Sequence, residues 1–247
     1  MANHVEIGLN RTGIATSPRL AQEMVEGTRE FPPMTNGDER TIGLRRGEYV
    51  RESDGLGSVP PPTSLKGMAK TALQGVLGQR PTLMLDKLSE RLAFERTGVR
   101  LYEALISKLE AAGSFEGGPT REELVEMMQE EYSHYNLLTE VVSKMGADPT
   151  VMTPSADLHA TITRGVMEAI VDARTNLAQA LEALLVAELA DGDAWDSLIE
   201  LVGEAGGEIE LQLFEQAAME EAKHLERVRT WIAASQNRAS GDLSDGA

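Results

Sequence analysis

From residue 81 to about residue 235, apolar residues recur every three or four positions, the spacing that lines one face of a helix. The pattern predicts helices over about 82–112, 120–145, 156–171, 175–204 and 208–235. Stop signals separate them. Pro81 precedes the first, and GSFEGGPT (113–120) ends it. Thr120 followed by Glu123 is a capping-box pattern at the start of the second. GADPTVMTPS (146–155) breaks the chain, and Gly206-Gly207 ends the fourth helix. Two long hairpins joined by a long crossover are the layout of a four-helix bundle with one crossover.

Before residue 81 the periodicity fades. Residues 1–80 hold eleven of the 23 glycines and six of the ten prolines. They predict an extended arm with little regular structure. SPRLAQEMVEG (17–27) reads as a short helix capped by Ser17, and GLGSVPPPTS (55–64) reads as a linker. The expected domains are therefore the arm (1–80), the bundle (81–236) and a polar tail (237–247).

Polar residues interrupt the apolar stripes at matching places. In the first bundle helix, Glu95 lies among Leu88, Leu92, Val99, Tyr102 and Ile106. In the second, Glu131 and His134 lie among Leu124, Met127, Met128, Tyr135 and Leu138. The helix over 175–204 has Glu188 among Leu181, Leu184, Leu185, Trp195 and Leu198. The last has Glu221 and His224 among Phe214, Ala217, Ala218, Leu225 and Val228. QEEYSH (129–134) and MEEAKH (219–224) thus repeat Glu-Glu-x-x-His, one in each hairpin. A buried ionised carboxylate costs several kcal/mol unless it is paired or coordinated, roughly as for any charge taken from water. Four inward carboxylates with two imidazoles suit a pair of divalent cations, and carboxylate-rich ligation favours iron or manganese.

Composition narrows the chemistry. The chain has no cysteine, which excludes disulfides, thiolate metal sites and a cysteine nucleophile. Net charge is −17 and uneven: ten basic against nine acidic residues over 1–80, thirteen against thirty-one beyond. The acidic region would repel nucleic acid or an anionic membrane surface and attract cations. No apolar run is long enough for a membrane span, and the first residues lack the order of a signal peptide, so a cytoplasmic protein is expected. No phosphate-binding glycine loop, Gly-x-Ser-x-Gly or His-Glu-x-x-His pattern competes.

The stretches ERLAFERTGVRLYEAL (90–105), EEYSHYNLL (130–138), LLVAELADGDAW (184–195) and MEEAKHLERVR (219–229) resemble the ferritin-like di-iron carboxylate superfamily. The resemblance covers residues 81–236. It implies an all-α, ferritin-like four-helix bundle with metal ligands at Glu95, Glu131, His134, Glu188, Glu221 and His224. It implies two iron ions, or two manganese ions, and oxidation of Fe(II) by dioxygen or hydrogen peroxide in the manner of a ferroxidase. A dimanganese catalase and a metal-stabilised assembly protein are the alternatives. The expected assembly is a homo-oligomer formed through the bundle or the arm. Leu138 stands where the ribonucleotide reductase small subunit carries a radical tyrosine, so that chemistry is not implied.

Other residues follow from these positions. Tyr102, two turns beyond Glu95, is a candidate redox or gating residue, and Trp195 has the same offset from Glu188. Asp191, one turn beyond Glu188, reads as a further ligand, as an acceptor that orients a histidine, or as a solvated helix residue. Glu130 and Glu220 point about 100° away from the ligands on their own helices, which predicts surface or ion-pair roles. Gly98 and Gly192 each lie about one turn past a ligand glutamate, which predicts room for an open coordination site or close helix packing. Arg91, Arg96 and Arg100 are expected to pair with neighbouring acids. His4 and His159 have no partner spacing, and the methionines read as core filling.

Overall fold

A computed structural model describes residues 18–32, 39–56, 58–59, 81–205 and 207–244. Ser17, His4 and most of the 55–64 stretch lie outside the described residues. Among the described residues there are seven helices and no strand: α1 (Pro18–Glu30), α2 (Glu39–Glu52), α3 (Pro81–Ala112), α4 (Arg121–Lys144), α5 (Pro154–Val171), α6 (Leu177–Ala205) and α7 (Glu208–Ser244). None of them is long and apolar enough to cross a membrane. The chain divides into two compact units, Met1–Gly55 and Leu56–Ala247.

The first unit contains α1 and α2, two helices where an arm with one short helix was expected. Gly43 and Gly47 lie inside α2, and each costs about 1 kcal/mol against alanine, so composition pointed away from a helix there. Local pairs support these helices, Arg19–Glu23 at 2.9 Å in α1 and Arg45–Glu48 at 2.9 Å in α2.

In the second unit, α3 packs on α4 and α6 on α7, and α5 lies against both α3 and α6. The helix ends explain these boundaries. At the start of α4, Thr120 Oγ1 accepts from Glu123 N at 3.2 Å, and Glu123 Oε2 accepts from Thr120 N at 2.8 Å, the capping box read from the sequence. Gly113 and Gly146 end α3 and α4 with φ of 78° and 84°, a backbone region that favours glycine. Thr153 caps α5, with Pro154 in its first turn. Asp86 of α3 accepts from Ser155 N at 3.0 Å and from Ser155 Oγ at 2.7 Å, tying the start of α5 to α3. At its other end, Lys108 Nζ donates to the carbonyls of Asp172 at 3.0 Å and Thr175 at 2.6 Å. The crossover is thus stapled to α3 at both ends. The helix expected to stop near residue 235 runs on to Ser244, because no glycine or proline interrupts it before Gly241.

Two apolar clusters fill the bundle. One contains Phe94, Leu101, Leu105, Leu124, Leu181 and Trp231. The other contains Leu88, Leu92, Leu138, Trp195, Val202 and Phe214. Along α4, α6 and α7 the buried acidic and imidazole groups fall between these two sets, and on α3 Glu95 follows Phe94, just past the change from one set to the other.

Candidate metal centre

Four helices each contribute to one polar layer. Glu95 comes from α3, Glu131 and His134 from α4, Glu188 from α6, and Glu221 and His224 from α7. All six side chains are at most 3% exposed. Ligand atoms of Glu131, Glu188, Glu221 and His224 lie within 4.8 Å of one another, and so do those of Glu95, His134 and Glu221. These two groups can each hold a metal ion, and Glu221 belongs to both.

Apart from a hydrogen bond between His224 Nδ1 and Glu221 Oε2 at 3.1 Å, the inward-facing donor atoms do not satisfy each other. His134 Nδ1 is 2.7 Å from Glu221 Oε1 and 3.5 Å from Glu95 Oε2, yet none of these three atoms makes a hydrogen bond. Glu131 Oε2 and Glu188 Oε2 are also buried without a partner. Buried acceptors are almost always paired, so several orphans aimed at one region are the arrangement that a bound cation would satisfy. His224 Nδ1 completes the set, 3.1 Å from Glu221 Oε2, 3.5 Å from Glu131 Oε1 and 3.9 Å from Glu188 Oε2.

Each imidazole is held from behind. His134 Nε2 is 2.9 Å from Glu220 Oε2, and His224 Nε2 is 2.8 Å from Glu130 Oε2. The arrangement is crossed: the α4 histidine uses an α7 glutamate, and the α7 histidine uses an α4 glutamate. A carboxylate at Nε2 holds the proton there and leaves the Nδ1 lone pair for a metal. The sequence reading gave Glu130 and Glu220 surface or ion-pair roles. Each does form an ion pair, and its partner is one of the two layer histidines, on another helix. Periodicity along one helix carries no sign of a contact made by the next.

The electrostatics follow from burial and from these neighbours. Burial alone would lower His134, but the Glu221 and Glu95 carboxylates raise it to about 11. His224 is likewise raised, against burial, by Glu130, Glu131 and Glu221. Burial, then Glu221, pushes Glu188 up to about 8 and raises Glu131. Glu221 resists burial and stays well below the usual range because His134 and His224 flank it. Protons therefore stand in this layer where a cation would displace them.

Tyr102 is fully buried, and its hydroxyl donates to Glu188 Oε1 at 2.6 Å. Its ring meets that of His224 edge-on at 6.0 Å. Burial, then Glu188, raises its pKa, so the phenol keeps its proton. Trp195 packs edge-on against His134 at 5.7 Å. Gly98 has a specific reason to lack a side chain: a Cβ there would overlap the Glu131 carboxylate, 2.6 Å from its Cδ. Gly192 has no such neighbour within 4 Å.

Asp191 does not orient a histidine. It pairs with Arg91, whose Nη2 also bonds Glu95. Arg91 is 1% exposed and lies over the rings of Phe94 at 4.9 Å and Trp195 at 5.1 Å. Burial would lower its pKa, but Asp191 and Glu95 raise it, so it stays charged. His159, given no role from sequence, pairs through Nε2 with Glu90 Oε1 at 2.8 Å. These two residues, with Arg91, Lys87 and Asp193, line a pocket of about 340 Å³ between α3, α5 and α6.

In comparisons with protein-family models, with curated proteins and with solved structures, nothing matches this chain.

Proposed function

We propose that the chain is a ferritin-like di-iron carboxylate protein that oxidises Fe(II) with dioxygen or peroxide. The observation that carries this reading is the set of buried, inward-facing donor atoms with no partner: Glu95 Oε2, Glu131 Oε2, His134 Nδ1, Glu188 Oε2 and Glu221 Oε1. Charge supports it as well. Five carboxylates (Glu95, Glu131, Glu188, Asp191 and Glu221) are buried in this layer, and the buried Arg91 guanidinium pairs with two of them, Glu95 and Asp191. Two divalent ions together with Arg91 balance them, with both histidines neutral.

Glu95, His134 and Glu221 would hold one ion, and Glu131, Glu188, Glu221 and His224 the other. Two redox-active ions held there would supply Lewis acidity and a two-electron change. The chain's own residues do the rest. Glu130 and Glu220 keep the imidazoles turned with Nδ1 inward. Tyr102 fixes one oxygen of Glu188 and leaves the other free. The apolar clusters on both sides keep bulk water away and strengthen every charge interaction in the layer. The acidic surface of the bundle raises the local concentration of Fe(II).

Anaerobic loading of metal-free protein with Fe(II), followed by addition of dioxygen or hydrogen peroxide, tests the reading. Near-ultraviolet absorbance should rise until about two irons per chain are oxidised, as six shared ligands imply. It should rise much faster than with free Fe(II) or with Glu221→Ala protein. Equal rates in all three would contradict a ferroxidase. Loss of peroxide without consumption of Fe(II) would point to disproportionation instead.

A further inference from the structure

We infer that Arg91 is a positioning residue that makes the two halves of the centre unequal, so that the Glu95 half is the weaker, exchangeable one. The inference rests on the metal-centre reading above and concerns how that centre fills.

The two halves differ on three counts. The group at Glu131, Glu188, Glu221 and His224 offers four ligand atoms, whereas the group at Glu95, His134 and Glu221 offers three. Of those three, Glu95 already shares one oxygen with the Arg91 guanidinium. Asp191, the carboxylate that could make a fourth, has its Oδ1 on the same Nη2 and belongs to neither group of ligand atoms, though its Oδ2 has no partner. A buried guanidinium does not lose its proton, so the competition does not relax with pH. A fixed positive charge beside an incoming dication also repels it in a medium of low dielectric constant. Arg91 hydrogen-bonds no carboxylate that belongs to the second group alone, and reaches it only through the charge of the shared Glu221, while Tyr102 donates a neutral hydrogen bond to Glu188 there.

Packing holds Arg91 in this role. The guanidinium carbon lies over the rings of Phe94 and Trp195, and its own helix presents Glu95 one turn away. Arg91 is also part of the wall of the pocket that contains Lys87, Glu90 and His159. One guanidinium is therefore shared between Glu95 and a cavity, while Nε and Nη1 remain without partners. An ion leaving the Glu95 half gives its carboxylate back to Arg91 rather than leaving it uncompensated.

The test is a titration of the metal-free, full-length chain with Co(II), followed by calorimetry and visible absorption. The wild-type chain should bind two ions in steps separated by about tenfold or more, the size of one modest electrostatic difference. Glu95→Gln should remove the weak step and keep the strong one, and Glu188→Gln the reverse. Arg91→Met should tighten the weak step by about tenfold or more while shifting the strong one less than about threefold. Arg91→Lys should restore much of the wild-type gap. Asp191→Asn should weaken the weak step further, because Arg91 then leans on Glu95 alone. Opposite signs for Arg91→Met and Asp191→Asn are something a general loss of folding cannot produce. Two ions binding with one shared affinity, or an Arg91→Met chain that weakens both steps, would overturn the inference and leave the metal reading standing. A chain that binds no Co(II) would remove the metal reading itself, and this inference with it.

Discussion

Glu221 is the residue on which both ligand groups depend, and its setting shows what a sequence can and cannot reveal. Its place in an apolar stripe, three residues before a histidine, was visible as pattern. The same argument found Glu95, Glu131, His134, Glu188 and His224, since a carboxylate or imidazole in a core stripe needs a partner. Arg91 was open to that argument too. It lies one turn before Glu95 on the same face, so a charged group stood in the stripe. What sequence could not give was its partner on α6, one hundred residues away. Glu130 and Glu220 were harder still, because they sit off the stripe and are defined by contacts across helices. Gly98 yields a prediction at this scale. Replacing a helical glycine by alanine favours the helix by about 1 kcal/mol, but here the new methyl must push the Glu131 carboxylate aside. Gly98→Ala should therefore unfold at or above the wild-type temperature while losing metal affinity, measured by thermal unfolding and by dialysis against the metal. Loss of stability with metal binding intact would contradict the assigned role.

At the scale of elements, the helix boundaries of the bundle were legible because they are written in local chemistry: Pro81, Thr120 with Glu123, Gly113, Gly146, and Thr153 before Pro154. The first eighty residues and the tail were read less well. A high glycine and proline count describes average propensity, which two short helices override locally, and polarity near the C-terminus reports exposure rather than the absence of a helix. Asp86 gives the prediction for this scale, because it anchors the crossover helix. Burial raises its pKa, but hydrogen bonds from Ser155 and Thr153 lower it overall. A carboxylate with a depressed folded-state pKa contributes stability above its unfolded value of 3.8, and the contribution is lost as pH falls through the folded value. Asp86→Ala should cost about 1–2 kcal/mol near neutral pH, the range of a lost helix cap. The difference should shrink as pH falls below 3.8, which denaturant unfolding of both proteins across the acid limb would measure. A cost that stays constant to low pH would assign it to packing instead.

For the whole bundle, two apolar clusters are separated by a layer of buried acids and imidazoles. Such a layer is weak cement when its charges are uncompensated. Bound metal should therefore stabilise the whole bundle by mass action, by about 2.7 kcal/mol when free metal is a hundredfold above its dissociation constant. Chelation should lower the melting temperature by several degrees or more for each such increment, roughly as expected for a domain of this size. Identical melting with and without metal would mean that the layer is satisfied by protons alone.

The most direct test of the central claim is elemental analysis of the protein purified from its native host, expressed as metal ions per chain. The account predicts about two ions per chain, with iron as the metal, as six ligands sharing Glu221 imply. Absence of metal, both as purified and after reconstitution, would contradict it: the two Glu-Glu-x-x-His motifs would then be buried acids and imidazoles held together by protons and Arg91.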